Sequence, residues 1–535
     1  MTRLLAAILS LLAIFGSCSL CRAQQSAIVD QQITELGARL DALEAENRAL
    51  RAAISGAPAK PADGPALNLP PELNSDGAVI WQMDERLCEL ETKVAGDEAL
   101  PCPTDGCHDG GEEDLEMTAK WNHGLELATK NKDFRIHVGG RTQFDAGWFD
   151  APPNVQNNIN FPYEDGVDFR RGRLRVDGTM YSVIEWAVEY DFFNAFRVDG
   201  VDRTVTAPTD LWWECKETPY FGHVRFGNQK PAIGFEHLVS SRFLPFMERS
   251  YNQDAFYGGA FNGFLPGIAA FDSIGDDEHS TYNVGLFKPT NNVFAFNATD
   301  GDYMVVGRLT RLLWYECEGE SLFHVGGSVV QQSTVDDRTI FRTRDAIRTG
   351  LSSVWPVPAS TGDVSGEDMQ WFNGELAAVQ GPWTFQAEYL TSYLHDAAPI
   401  VGNVVQPGVG TVNYHGGYVQ VLYFLTGEHD RYNKLYGAFE RVIPHENYFV
   451  LRDRCGNVGG SGAWQIGARY NYLDLNDDGL NGGILHNFTA GLNWFWNPNM
   501  KIQFNYMATH RDAALAGNAG DGWINGWGIR VASDF

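Results

Sequence analysis

From Arg171 onward, the stretch Phe169-Arg170-Arg171-Gly172-Arg173-Leu174-Arg175-Val176-Asp177-Gly178 places arginine at every second position. Side chains of an extended chain alternate between two faces. Arg171, Arg173 and Arg175 therefore share one face, with Gly172, Leu174 and Val176 on the other. Such a row suits anions, because a guanidinium fork matches phosphate or carboxylate oxygens in pairs. Facing hydrocarbon, three arginines would be very costly, so the row belongs on a wet wall. Arg141 points the same way from an earlier alternating segment. A second cluster begins at Gly227-Asn228-Gln229-Lys230 and runs without clean alternation to about Leu265. A connection of that length is usually functional, and this one suggests a loop folded into a pore with Lys230, Arg242 and Arg249 as lining charges. A plainer use of the arginines stands beside this one. Glu185, Glu189 and Asp191 share an inward face and could pair with them to stiffen the wall.

These residues need strands to hold them, and the region from about 130 to 535 has a period of two. Ile136, Val138, Thr142, Phe144, Ala146 and Trp148 alternate with Arg135, His137, Arg141, Gln143 and Asp145. Ile184 to Phe192 and Trp383 to Tyr389 behave likewise. Ala490 to Trp496 and Ile502 to Tyr506 flank Asn497-Pro498-Asn499, which reads as a hairpin. Trp527, Ile529, Val531 and Phe535 alternate with Gly528, Arg530, Ala532 and Asp534, as expected of a strand that closes a ring. Aromatics recur near strand ends, and charges recur opposite them, so the expected lumen is wet. At roughly 25 residues per strand and connection, the region holds on the order of 16 strands. The expected fold is all-β, a transmembrane antiparallel β-barrel of that size, preceded by an N-terminal α-helical coiled coil.

Residues 1–23 read as a signal peptide: Arg3, then an apolar stretch from Leu4 to Phe15, then Cys21-Arg22-Ala23 as a cleavage site. No later segment is long and apolar enough for a membrane-spanning helix. Residues 24–56 carry an unbroken a/d seam of Val29, Ile33, Leu36, Leu40, Leu43, Asn47, Leu50 and Ile54. So narrow a stripe implies an oligomerising coiled coil, with polar Asn47 setting register; the seam leaves dimer and trimer open. Residues 57–129 read as a linker rich in Ala and Pro near its start. It holds a second short helical segment through Ile80, Met83, Leu87, Leu90 and Val94. Cys102 and Cys107 could close a small disulfide loop, and with His108 they supply too few ligands for a metal site.

A net charge of −28 argues against nucleic-acid binding. The sequence has no Gly-x-Ser-x-Gly elbow and no His-Glu-x-x-His helix, so no enzyme or cofactor is expected.

Gly139-Gly140-Arg141-Thr142-Gln143-Phe144-Asp145, Phe169–Gly178, Tyr190-Asp191-Phe192, Gly227–Glu236 and Leu425-Thr426-Gly427-Glu428 resemble the phosphate-selective porin O/P family. The resemblance runs from about 130 to 535. It implies a trimeric outer-membrane porin with a constriction loop and lumen arginines, in contact with outer-membrane lipid and small anions. The coiled coil would lie in the periplasm, where it could clamp the trimer or reach the cell wall. The expected function is passive diffusion of small, phosphate-like anions. A general or cation-leaning porin, or a barrel with mainly a tethering role, are the alternatives.

Overall fold

The computed structural model describes residues 116–535 apart from 199–200, 258–262, 291–300, 449–458 and 514–518. The signal peptide, the coiled coil, the second helical segment and Cys88, Cys102, Cys107 and Cys455 lie outside the described residues. Cys215 and Cys317 are free thiols.

Alternation between apolar and polar side chains produces strands throughout. In chain order they are β1 (Arg135–Asp150), β2 (Gly166–Met180), β3 (Ile184–Val198), β4 (Val201–Thr218), β5 (Gly222–Gln229), β6 (Leu265–Ile274), β7 (Ser280–Phe287) and β8 (Met304–Glu316). There follow β9 (Ser321–Ser333), β10 (Asp368–Gln380), β11 (Trp383–Val401), β12 (Gly410–Phe424), β13 (Ala463–Asp477), β14 (Leu480–Asn497), β15 (Met500–Asp512) and β16 (Gly522–Asp534). Each pairs antiparallel with the next, and β16 pairs with β1, Arg530 opposite Asp145. Phe535 extends this seam: its N–H donates to Gly140 O, and its own carbonyl accepts from Gly140 N–H. The result is a closed barrel of sixteen strands. The hairpin predicted around Asn497-Pro498-Asn499 is β14–β15.

The outer face is mainly apolar, and the inner face carries most of the polar side chains together with buried apolar ones. On β12, Val419 and Val421 are exposed while Tyr418, Gln420 and Leu422 are buried. On β16, Trp527 faces out and Arg530 is wholly buried inside. At one end of the barrel most connections are tight turns, as at 381–382 and 498–499. At the other end lie longer ones, including 151–165, 230–264 and 334–367. In outer-membrane barrels the short turns are periplasmic and the long loops extracellular, which orients the molecule.

Three connections fill the interior. Residues 230–257 leave β5 and cross the lumen as a strap, and 263–264 lead back into β6. Lys501 Nζ and Gln503 Nε2 donate to Leu244 O, and Arg469 donates to Glu248 O. The short helix Phe235–Leu238 within it docks on Glu388 of β11, whose carboxylate accepts the N–H groups of Phe235 (2.9 Å) and Glu236 (2.7 Å). Gly234 has φ +75° there, and a Cβ at that position would collide with Glu388. Residues 334–367 descend from the extracellular end. Arg344 pairs with Asp254 of the strap, and Tyr251 Oη donates to Asp345 at 2.5 Å.

Residues 425–448 rise from the periplasmic end, where a tight turn is expected. They set Tyr432 against His324 and Phe439 against Phe235. The segment has neither a strand nor a helix period, so alternation gives no sign of it. Residues 117–129 depart from the linker reading. Met117–Trp121 and Leu125–Thr129 form a hairpin whose second strand pairs with β1, Leu125 opposite Val138. Five-residue strands are too short for alternation to declare them.

The barrel orientation predicts depth-dependent costs on its outer face. Val419→Arg, near the middle of β12, should destabilise the lipid-embedded barrel by about 2–4 kcal/mol, and Thr411→Arg, outward at the rim, by about 0–1 kcal/mol. Urea unfolding in lipid vesicles measures both; equal costs would contradict the assigned faces.

Candidate functional site

A β-bulge concentrates the arginines of β2. Gln143 opposes Arg171 and Phe144 opposes Phe169, so Arg170 is an extra residue in the ladder. Arg170 and Arg171 are consequently both buried inside, while Phe169 points out. Strict alternation had placed only Arg171, Arg173 and Arg175 on the inner wall. Arg170 shares two hydrogen bonds with Glu248 of the strap, at 2.8 and 3.0 Å.

The seven residues singled out from the sequence all line one chamber of about 450 Å³, floored by the inward periplasmic segment at Leu435, Tyr436 and Glu440. Arg141 donates to Glu189 (2.6 Å) and to Ser241 Oγ (2.7 Å). Arg171 donates to Gln143 (2.8 Å) and lies 3.6 Å from Glu248. Arg173 bridges Asp191 (2.7 Å) and Glu189 (3.1 Å). Arg175 bridges Asp177 (2.9 Å) and Asp210 (2.8 Å). Arg242 is held more loosely, 3.6 Å from Asp534 and 3.8 Å from Glu189. Lys230 Nζ donates to the carbonyl of His237 (2.7 Å), and Arg249 donates to those of Glu236 (3.1 Å) and Val239 (2.6 Å). These two cations therefore brace the strap as well as facing the chamber.

The pairing of arginines with wall acids is thus realised for Glu189 and Asp191. Glu185 instead sits near the turn and binds Lys216 at 3.1 Å. Two lining arginines escape a sequence reading. Arg225 on β5 bonds Glu214 and Tyr436 Oη (2.9 Å), its guanidinium 3.9 Å over Trp212. Arg308 on β8 bonds Glu375 (2.6 Å) and the carbonyl of Gly437 (2.8 Å). Neither has another arginine two residues away on its strand, so its face is visible only once the strand phase is known. Arg530 points inward yet is sealed off by Asp145 and Glu248, at 2.6 and 3.0 Å.

The lining holds nine cationic side chains against three carboxylates, Glu189, Asp210 and Glu440. The arginines do not spend all their donors on the wall: Arg141 Nε, Arg171 Nε and Arg242 Nε have no hydrogen-bond partner in the protein. A fixed excess of guanidinium N–H groups in a polar chamber stabilises an anion that sheds part of its hydration there.

The sequence has relatives. The model of a family described as phosphate-selective porin O and P matches residues 136–522. Porin O of Pseudomonas aeruginosa is 26% identical over 458 residues, 76% of this chain and 91% of that protein. An uncharacterized protein of Caulobacter vibrioides is 27% identical over 428 residues, 78% of this chain and 76% of the other. Among solved structures, an anion-selective porin from Comamonas acidovorans superposes with a TM-score of 0.41 at 10% identity, over 75% of this chain and 100% of that one. The outer membrane channel DcaP of Acinetobacter baumannii gives 0.42 at 10% identity, over 76% and 99%.

Lys230 is the chamber's softest charge. Burial, with the Arg249 guanidinium close by, pushes its ammonium well below the usual lysine range. A cation whose folded-state pKa is lowered loses its charge as pH rises through that pKa. Any anion preference should therefore weaken with rising pH already below the ordinary lysine value of about 10.4. Lys230→Arg should flatten this dependence. Reversal potentials across a salt gradient at each pH report both.

Proposed function

The chain belongs to the phosphate-selective porin O and P family and is an outer-membrane porin, and from that premise we propose that it passes small phosphate-like anions by passive diffusion through the chamber of arginines. The observation that carries this reading is the convergence of Arg141, Arg171, Arg173, Arg175, Lys230, Arg242 and Arg249 on one chamber whose cations outnumber its carboxylates. An oxyanion entering it exchanges water for guanidinium and ammonium donors. Because these belong to different strands and to the strap, it is handed from one group to the next without being held by all. Weak, multiple sites of that kind favour conduction over capture.

A cation-leaning porin on the same scaffold is favoured by one observation. Each arginine of the β2 row except Arg171 has a carboxylate within 3.1 Å. If those acids neutralise the wall fully, the chamber's surplus is small. We further propose that the heptad seam of residues 24–56 forms a periplasmic coiled coil that clamps the subunits and reaches toward the cell wall; that the assembly is a trimer is what the family resemblance implies.

Single-channel recording separates the readings. The parent should show an anion-selective reversal potential in a salt gradient and block of chloride current by millimolar phosphate. In Arg171→Ala/Arg173→Ala/Arg175→Ala the half-blocking phosphate concentration should rise by at least about tenfold, since charge-assisted hydrogen bonds contribute about 1.5–3 kcal/mol each. Cation selectivity in the parent, with no phosphate block, would overturn the proposal. For the coiled coil, deletion of residues 24–95 should leave single-channel conductance intact while lowering trimer yield on native gels. Envelope detachment with trimers retained would make tethering its main task.

A further inference from the structure

A second chamber, of about 410 Å³, lies on the extracellular side of the strap. Lys230, Leu238 and Phe264 face the inner chamber, whereas their neighbours Pro231, His237 and Leu265 face the outer one. The two spaces thus abut across the strap's own backbone. Their linings differ in kind. The inner is a cage of guanidinium groups. The outer is built on Phe256, Tyr257, Met304, Met369 and Trp371, closed by the descending segment 334–367. Tyr257 stands 6.3 Å from Trp371 and edge-on to His237 at 4.8 Å, so the wall is aromatic and continuous.

Some of its polar groups are unspent. Arg338 and Arg342 project from the segment 334–367 into this lining. Among the described residues no carboxylate comes within 4.0 Å of either guanidinium. On the same segment Arg344 and Arg348 are both paired, with Asp254 and Glu248. Arg342 Nε is buried without a partner. Trp371 is only 3% exposed, and its indole N–H also has no acceptor. A buried donor left unmade costs about 1–3 kcal/mol, so one aimed into a cavity marks a place where a ligand atom is accommodated. Asp363 is the one carboxylate of the lining, set against two arginines.

We infer that this outer chamber is a binding vestibule for small organic anions with an aromatic or branched apolar body, rather than for inorganic oxyanions. The apolar body stacks on Trp371 and Tyr257 and packs on the methionines; the carboxylate or phosphate end takes Arg338, Arg342 and the indole N–H. The volume falls within the roughly 300–1,000 Å³ of small-molecule sites, and aromatic walls with a few placed donors are their usual chemistry. Inorganic phosphate has nothing to offer the apolar wall and passes through to the inner chamber. The inference rests on the reading of the lumen as an anion path, and gives that path a filter upstream of the arginine chamber.

The test is block of chloride current in planar bilayers by benzoate and phenyl phosphate, against acetate and inorganic phosphate of matched charge. Benzoate should block at concentrations at least about tenfold below acetate, the equivalent of about 1.4 kcal/mol. Arg338→Ala/Arg342→Ala should raise the half-blocking benzoate concentration by about tenfold or more. Its block by inorganic phosphate should move little, and its chloride current reports that it has inserted as an open barrel. Trp371→Phe keeps the ring and loses the donor; it should weaken benzoate block several-fold and supplies the readout if the double variant does not insert. Equal block by benzoate and acetate, or benzoate block unmoved in the variants, overturns the vestibule. The reversal potential in the same membranes keeps the two readings apart: cation selectivity overturns the anion path beneath it.

Discussion

A strand in hydrocarbon has no water to bond its backbone, so each N–H and C=O must find another strand. The pairing of β16 with β1 meets that demand for the whole sheet, since it removes both edges at once. Much else follows from closure. Once the sheet is a ring, the side chains of each strand have only two destinations, lipid or lumen. The lipid face takes mainly apolar residues, and the only home left for Arg141, Arg173 or Arg308 is the interior. A ring of sixteen strands is also wide enough that its own inward side chains do not fill it. The strap and the two other inward segments supply the missing material.

Those segments bring charge with them, and the lumen is held together by how that charge is met. Glu248, on the strap, lies within ion-pair distance of Arg170, Arg171, Arg348 and Arg530. One carboxylate thereby ties β2, β16 and the segment 334–367 to the strap. Removing either side of such a buried set leaves an uncompensated charge, at a cost of about 3–5 kcal/mol, so the arrangement is stiff. Stiffness has a functional side. An arginine oriented by a wall carboxylate keeps its remaining N–H groups aimed at the chamber, and no rotamer freedom is lost when an anion arrives. Pairing with acids and presenting N–H groups to the chamber are two aspects of one construction.

The legible parts of this design were those with a short period. β1, β3, the β14–β15 hairpin and β16 are visible because the side-chain alternation of a strand is local and survives any tertiary context. The seven lining residues could be named because costly charges recur at that period or in a long connection between strands. Arg170 was missed because a bulge adds one residue and turns two consecutive arginines inward. Arg225 and Arg308 were missed because an arginine with no second charge at the strand period announces nothing about its face until its neighbours are placed. The hairpin at 117–129 is too short to show a period. The inward course of 425–448 rests on contacts with His324, Arg308 and Phe235, all far away in the chain.

The amino-acid sequence by itself determined a closed all-β barrel with a charged interior, because alternation and the cost of charge in hydrocarbon are properties of neighbouring residues. It also determined the stock of cations available to a pore. Only the tertiary structure decided which cations meet, which acids restrain them, and that the strap separates an arginine chamber from an aromatic one. Those outcomes depend on register, on a one-residue bulge and on three segments folding back into the lumen. Each is settled by contacts between residues tens to hundreds of positions apart, where local spacing has no say.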